Sequence, residues 1–244
     1  MKAVYNDLTA VTYEALVYID KYDTDNVSIS TIMGVEQYLL LRIGDANFER
    51  QQLQFDGSGS GTQFGKIPSK SDASKKLSTG QWYHVATTYD QATRIARIYL
   101  NGKLLDEAKD VGVAGSSPEN RIRLAPRVTE NGKAGEGYCF LVGNSYNPNR
   151  SLQGKIAEIR VWRTARSGQE IWNNMYRIDA PESQEDLIGY WKSNDGKGDT
   201  VTDYSRYKNH GKFGAKEQWQ ITTGISVDKK EPEWAVNVEI PEIN

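Results

Sequence analysis

A chain of 244 residues, 38% apolar and 25% charged, has material for one sizeable core, and all-β domains often reach this length as single units. Its 30 Lys and Arg against 32 Asp and Glu leave a formal net charge of −2, which excludes a broad electrostatic hold on nucleic acid or an anionic membrane. The single cysteine, Cys139, excludes an intrachain disulfide, and no apolar run is long enough for a membrane-spanning helix.

The start, Met1–Asp7, lacks the apolar core of a signal peptide, so an export signal for a parent protein is expected outside this chain. Leu8–Asp20 alternates, with Val11, Tyr13, Ala15, Val17 and Ile19 on one side and Thr12, Glu14, Leu16 and Tyr18 on the other. That period of two reads as a strand of a sandwich. Asn26-Val27-Ser28 matches a glycosylation sequon and is read as a chance match. Ser28–Gly34, Gln37–Ile43 and Gln51–Phe55 read as further strands, and Gly57–Gly61 as a flexible loop.

Leu77–Ala108 is the most informative stretch. Val85, Thr87 and Tyr89 share one face of a strand, and Ala96, Ile98 and Leu100 share a face of the next. Asn101-Gly102 follows, two residues that accept the positive φ of a tight type I′ turn. Asp110–Asn120 and Arg127–Gly137 are polar and glycine-rich, with strands expected at Arg121–Leu124 and Gly137–Gly143; the second holds Cys139 as a buried, inert thiol. Ser167–Ile178 is the one helix expected. Ser167 and Glu170 make a capping box, and Ile171, Met175 and Ile178 share a face that should dock on the sandwich edge. Trp172 falls off that face and is the tryptophan expected to be exposed, whereas Trp82, Trp162, Trp191 and Trp219 sit in strand-like runs. Leu187–Lys192 reads as a strand, Asn194–Gly211 as a long polar loop and Glu217–Ile221 as a closing strand. Residues 1–225 form one domain by this reading, and residues 226–244 a terminal strand or linker.

Two blocks carry a family resemblance. Trp82-Tyr83-His84-Val85-Ala86, then Tyr89-Asp90 and Ile98-Tyr99-Leu100-Asn101-Gly102-Lys103, resembles the central signature of laminin-G-like, concanavalin A-like jelly-roll domains. Leu141-Val142-Gly143-Asn144, Leu152–Trp162, Arg163–Ser167 and Leu187–Trp191 are similar to the closing half of that domain, and the combination resembles C-terminal modules of Bacteroides-type cell-surface lipoproteins. The resemblance implies an all-β, antiparallel two-sheet β-sandwich with one short helix. It also implies an extracytoplasmic bacterial setting, at the cell surface or in the periplasm, within a longer protein.

The same jelly roll hosts glucanases, which need two carboxylates about 5–5.5 Å apart for retention and further apart for inversion. In the retaining enzymes these lie on one strand face, two residues apart, and no strand-like run of this sequence carries such a pair. Glu158 is followed on its own face by Arg160 and Trp162, so it is expected to pair with Arg160 or a neighbouring strand. Glu182, Glu185 and Asp186 fall in a loop. His84 lies inside the family signature with an expected structural role, and nothing brings it to Cys139. No nucleophile elbow, phosphate loop or zinc motif is present.

Three ligand readings are left. Asp195, Asp199 and Asp203 place three carboxylates in one glycine-rich loop, readable as a structural calcium site or as a solvated turn with Asx caps. Tyr146, Asn147, Asn149 and Arg150, beside a strand end, have side chains that suit a glycan. So do Tyr204 and Tyr207, with Arg206 and Asn209 between and after them. Trp172 is the third place, and with 14 Tyr and 6 Trp against 5 Phe the aromatic complement mostly carries a polar handle. The resemblance and these residue types make a non-catalytic carbohydrate-binding module the expected function, with an oligosaccharide or polysaccharide as partner. The alternatives are a glycoside hydrolase with acids from separate loops and a protein–protein interaction or spacer domain.

Overall fold

The computed structural model describes residues 3–22, 29–59, 61–115, 117–124, 140–144, 148–213, 233–235 and 238–240. Cys139, Tyr146, Asn147, Trp219, the sequon and the expected strand at Glu217–Ile221 lie outside the described residues. In chain order the strands are β1 (Ala10–Ile19), β2 (Ser30–Val35), β3 (Leu39–Asp45), β4 (Phe48–Gly57), β5 (Gly65–Ile67), β6 (Trp82–Asp90) and β7 (Ile95–Leu100). They continue as β8 (Lys103–Ala108), β9 (Phe140–Val142), β10 (Gly154–Trp162), β11 (Leu187–Trp191), β12 (Thr200–Val201) and β13 (Gly211–Lys212), with helix α1 (Gly168–Asn173) between β10 and β11. One six-stranded sheet runs β11-β10-β1-β6-β7-β8, a five-stranded sheet runs β5-β4-β3-β2-β9, and β12-β13 form a small ribbon. All the strand pairs are antiparallel. No helix among the described residues is long and apolar enough to cross a membrane.

The alternation in β1 sends Val11, Tyr13, Ala15, Val17 and Ile19 inward, where they join Val85, Tyr89, Ala96 and Ile98 in one buried cluster. Leu39, Leu41, Ile43, Leu53 and Phe55 of the second sheet complete it. Aromatic edges stitch the two layers, with Tyr13 and Phe55 centroids 6.2 Å apart, Phe55 and Phe64 5.0 Å, and Phe64 and Tyr89 4.8 Å. The Asn101-Gly102 turn has φ of 50° and 71° and is flanked by the Leu100–Lys103 pair, the type I′ geometry its residues demand. The Asn101 side chain also accepts from the His84 amide at 3.0 Å, which ties the turn to β6.

Three local expectations change. The strand expected at Arg121–Leu124 reduces to one bridge, Ile122 to Leu8. Residues 233–235 and 238–240 carry no strand. The glycine run at 57–61 is not a free loop at Gly59, since a Cβ there would lie 2.0 Å from the Tyr38 ring.

Larger differences concern the outer face of the six-stranded sheet. Thr12, Glu14 and Leu16, on the second side of β1, are buried as completely as the inward residues. Residues 163–178 fold across this face and cover it. The helix therefore docks on the sheet's outer surface rather than at its edge: Ile171 is packed with Ala86 of β6 and Tyr99 of β7, a burial worth about 1.5–3 kcal/mol. Ser167 caps it as expected, its hydroxyl accepting from the Glu170 amide while Glu170 accepts from the Ser167 amide at 2.7 Å. These Ser167 hydrogen bonds hold the Glu170 carboxyl below the usual range.

α1 is shorter than the expected Ser167–Ile178. The Asn174 side chain donates to the Glu170 carbonyl at 2.8 Å, and Arg160 takes the Asn174 carbonyl at 2.6 Å. The chain turns there, yet Met175 and Ile178 are still buried.

The turn supplies a test. A Cβ on Gly102 would meet the Trp172 ring at 2.6 Å and Met175 Sδ at 3.0 Å, on a backbone that L side chains rarely adopt. Gly102→Val should cost roughly 2 kcal/mol, read as a lower midpoint in urea unfolding. An unchanged midpoint would contradict the packing of α1 onto this turn.

Candidate functional site

Covering the outer face of the six-stranded sheet brings five ionisable side chains together under residues 163–178. Arg160, on β10, is fully buried. Its guanidinium lies 3.5 Å from Glu14 Oε2 and 2.5 Å from Glu158 Oε2, and donates to the carbonyls of Asn174 and Met175 at 2.6 and 3.4 Å. Glu158 reaches it from a β-bulge, where φ is +54° and the β1–β10 register slips. The expected Glu158–Arg160 pair is thus present, and the Tyr190 hydroxyl also donates to Glu158. Arg166 reaches the other Glu14 oxygen at 3.3 Å while its guanidinium lies 3.9 Å from the Trp162 ring centre.

Burial alone would raise the Glu14 carboxyl, but His84, Arg160 and Arg166 together bring it below the ordinary value. Burial lowers the His84 imidazole in spite of Glu14 at 3.3 Å. A ring lowered in this way is neutral at pH 7, so the close approach is not an ion pair. His84 has the structural place its sequence position implied. Arg166 is the member that the sequence did not reveal, because its partner Glu14 is 152 residues away.

A second polar network lies on β3 and β4. The spacing Gln52, Gln54, Asp56 puts three polar side chains on one face, and all three are buried. Arg42 donates to Gln54 at 2.7 Å and sits 2.7 Å from Asp45 and 3.2 Å from Asp56, with Lys66 on Asp45 as well. Burial would raise the Asp45 carboxyl, but Lys66 and Arg42 hold it below the ordinary range. A period-two reading of Gln52–Asp56 would have found this row. Among the described residues the buried carboxylates are Glu14, Glu36, Asp45, Asp56 and Asp203. Four of them touch an arginine, Glu36 through Arg150 at 2.7 Å.

Asp203 is the fifth, and it faces inward. It accepts from the backbone amides of Tyr190, Ser205 and Asn209 at 2.9, 2.8 and 2.7 Å, and from the Ser205 hydroxyl at 2.9 Å. Asp195 binds the Thr202 amide and hydroxyl at 3.0 and 2.5 Å, and Asp199 accepts from Thr200. Among the described residues no three His, Cys, Asp or Glu side chains are grouped to hold a metal ion. Asp195, Asp199 and Asp203 are thus engaged by amides and hydroxyls and knot the 194–211 loop together.

The glycan candidates separate onto different elements. Tyr204 is half-buried, its ring 6.2 Å from Tyr190 and 4.5 Å from the Lys192 ammonium, its hydroxyl on Asn194. Tyr207 donates to the Glu185 carbonyl and Arg206 to the Glu182 carbonyl, so this cluster joins two loops. Arg150 is tied to Glu36, and Asn149 sits beside it in a single turn, Pro148–Arg150. Trp82, Trp162 and Trp191 are buried, as their strand positions implied, while Trp172 is 43% exposed. It stands on α1 over the β7–β8 turn, with Lys103 5.9 Å from its ring centre and Gln169 donating to Asn173 at 2.8 Å along the same helix.

Two stacked antiparallel sheets with a capped helix across one of them define a lectin-like β-sandwich. The family model Laminin_G_3, the concanavalin A-like lectin/glucanases superfamily, matches residues 2–172, and the chain belongs to that family. Among solved structures it is similar to a proposed carbohydrate-binding protein from Bacteroides ovatus, 28% identical with a TM-score of 0.64. That match covers 84% of this chain and 52% of the other, so this chain spans about half of its neighbour's length. Among curated proteins it is similar to mouse pappalysin-1, 29% identical over 105 residues, and to rat "Sushi, von Willebrand factor type A, EGF and pentraxin domain-containing protein 1", 26% identical over 95 residues. Those stretches are 43% and 39% of this chain but only 5% and 2% of the respective relatives.

Removing Arg160 leaves Glu14 and Glu158 facing each other without their shared cation. Arg160→Met should cost about 3–5 kcal/mol in urea unfolding, and a loss below about 1 kcal/mol would contradict the network's structural role. Acid should weaken the fold in two steps. The unfolded chain protonates His84 below about pH 6.5 while burial withholds that proton from the folded one, so stability falls as pH drops through that value. Glu14, held ionised in the fold, adds a second loss below about pH 4.5. Melting temperatures from pH 8 to about pH 3 should show this, and His84→Gln should flatten the upper step; an unaltered profile would contradict a buried neutral ring.

Proposed function

We propose that this chain is a non-catalytic carbohydrate-recognition module of a larger extracytoplasmic bacterial protein. The family is lectin-like, and the Bacteroides ovatus neighbour, whose proposed role is carbohydrate binding, is twice as long as the stretch this chain matches; both support the reading. The observation that carries the non-catalytic part is the state of the acids. Cleaving a glycosidic bond needs one carboxyl kept protonated by a raised pKa beside a second that is ionised. Among the described residues the carboxyls that depart from ordinary values, Glu14, Asp45, Asp72, Glu107, Glu119, Glu170 and Asp195, all depart downward. Arginine or backbone amide donors occupy each of the buried carboxylates described above. Carboxyls held ionised in this way are poor proton donors to a leaving oxygen.

Affinity electrophoresis in gels containing soluble plant and host polysaccharides, paired with an assay for new reducing ends, tests the proposal. Retardation by at least one polysaccharide with no reducing ends formed is the expected result. Reducing ends that disappear on changing a single Glu or Asp would establish a hydrolase instead. A flat response to every polysaccharide, with a protein captured in pull-down, would establish an interaction or spacer domain.

A further inference from the structure

We propose that the exposed side of α1, centred on Trp172, is a stacking platform for a single pyranose ring, with Gln169 and Asn173 as its hydroxyl contacts. The proposal rests on the carbohydrate-binding reading and names the place where the sugar sits. Among the described residues the exposed large apolar side chains are Leu104, Trp172 and Val238, and Trp172 is the aromatic one, 43% exposed. Its exposure is not explained by folding, because α1 is held to the sheet by Ile171 on the other side of the helix.

The indole is also fixed. It rests on the Asn101-Gly102 turn so closely that a Cβ on Gly102 would be 2.6 Å from Cε3 and 3.2 Å from the Trp172 Cα. Met175 Sδ lies beside it, 3.0 Å from the same point, and the Lys103 ammonium is 5.9 Å from the ring centre. A ring that is already immobile loses little entropy when a ligand docks, which favours weak, small ligands such as a single sugar.

The groups around it suit a sugar's edge. Gln169, Trp172 and Asn173 are at i, i+3 and i+4, one side of the helix, and all three are exposed. Gln169 Nε2 donates to Asn173 Oδ1 at 2.8 Å, which orients both amides and leaves the Gln169 oxygen as an acceptor and the Asn173 amino group as a donor. A pyranose presents C–H bonds on its flat face to an aromatic π-surface and hydroxyls at its rim to amides. Area selects the occupant. The open part of the indole amounts to roughly 100 Å², the size of one sugar ring. A stable protein partner would need about 800 Å² on each side, and among the described residues Leu104 is the sole other exposed large apolar side chain near α1.

The test measures binding of the whole chain and its variants to xyloglucan, arabinoxylan, polygalacturonate and chondroitin sulfate by affinity electrophoresis. For any polysaccharide that retards the unmodified protein, Trp172→Ala should weaken binding at least tenfold. Trp172→Phe, which keeps an aromatic face, should weaken it no more than about threefold. The double variant Gln169→Ala with Asn173→Ala should weaken it at least threefold with an unchanged melting temperature, and it decides the matter if Trp172→Ala does not fold. Unchanged binding by these variants would overturn the platform and leave the carbohydrate-binding reading standing. No retardation of the unmodified protein by any of these or further glycans would overturn both.

Discussion

One guanidinium organises the outer half of this molecule. Arg160 is fully buried, and it bridges Glu14 on β1, Glu158 on a bulge of β10, and the carbonyls of Asn174 and Met175 just past the helix. A charge with no access to water survives only where opposite charges and acceptors surround it. Those partners come from three separate stretches, so satisfying Arg160 fixes where residues 163–178 must lie. The helix stops where its carbonyls turn to this side chain, and Ile171 then lands on Ala86 and Tyr99. Arg166 completes the arrangement by taking the second Glu14 oxygen and stacking on Trp162.

Placing a helix there has two structural consequences. It removes Glu14 from solvent, so that His84, Arg160 and Arg166 hold its carboxyl below the ordinary range, and it leaves Glu158 paired with Arg160. It also lifts Trp172 onto the surface above a turn whose glycine leaves room for the indole. The paired acids and the exposed indole thus have one origin. The same chemistry recurs on the other sheet, where Arg42 draws Asp45, Asp56 and Gln54 together.

Much of the fold was legible in the residues, because its determinants are local. Asn101-Gly102 can hardly be anything but a type I′ turn, and Ser167 with Glu170 announces a helix start whatever lies beyond. Period-two alternation placed β1, β2, β3, β6 and β7 to within a few residues. The second side of β1 was not legible: Thr12-x-Glu14-x-Leu16 alternates identically whether that side meets water or another layer. Only the partners decide, and Arg160 and Arg166 lie 146 and 152 residues from Glu14. The helix end was hidden for the same reason, since Met175 and Ile178 keep helical spacing although Arg160 and the Asn174 side chain halt the helix at Asn173. Asp203 read as a loop carboxylate because nothing in Asp195–Asp203 shows that its oxygens turn inward to three backbone amides. Trp172, by contrast, was readable from helical periodicity alone, as the tryptophan that the apolar side of the helix excludes.

The most direct measurement follows the indole N–H signals of protein labelled with ¹⁵N-tryptophan while a retarding oligosaccharide is added. The account predicts that the Trp172 signal moves saturably, and that those of the buried Trp82, Trp162 and Trp191 hold still. Saturable binding that leaves Trp172 unmoved would contradict it.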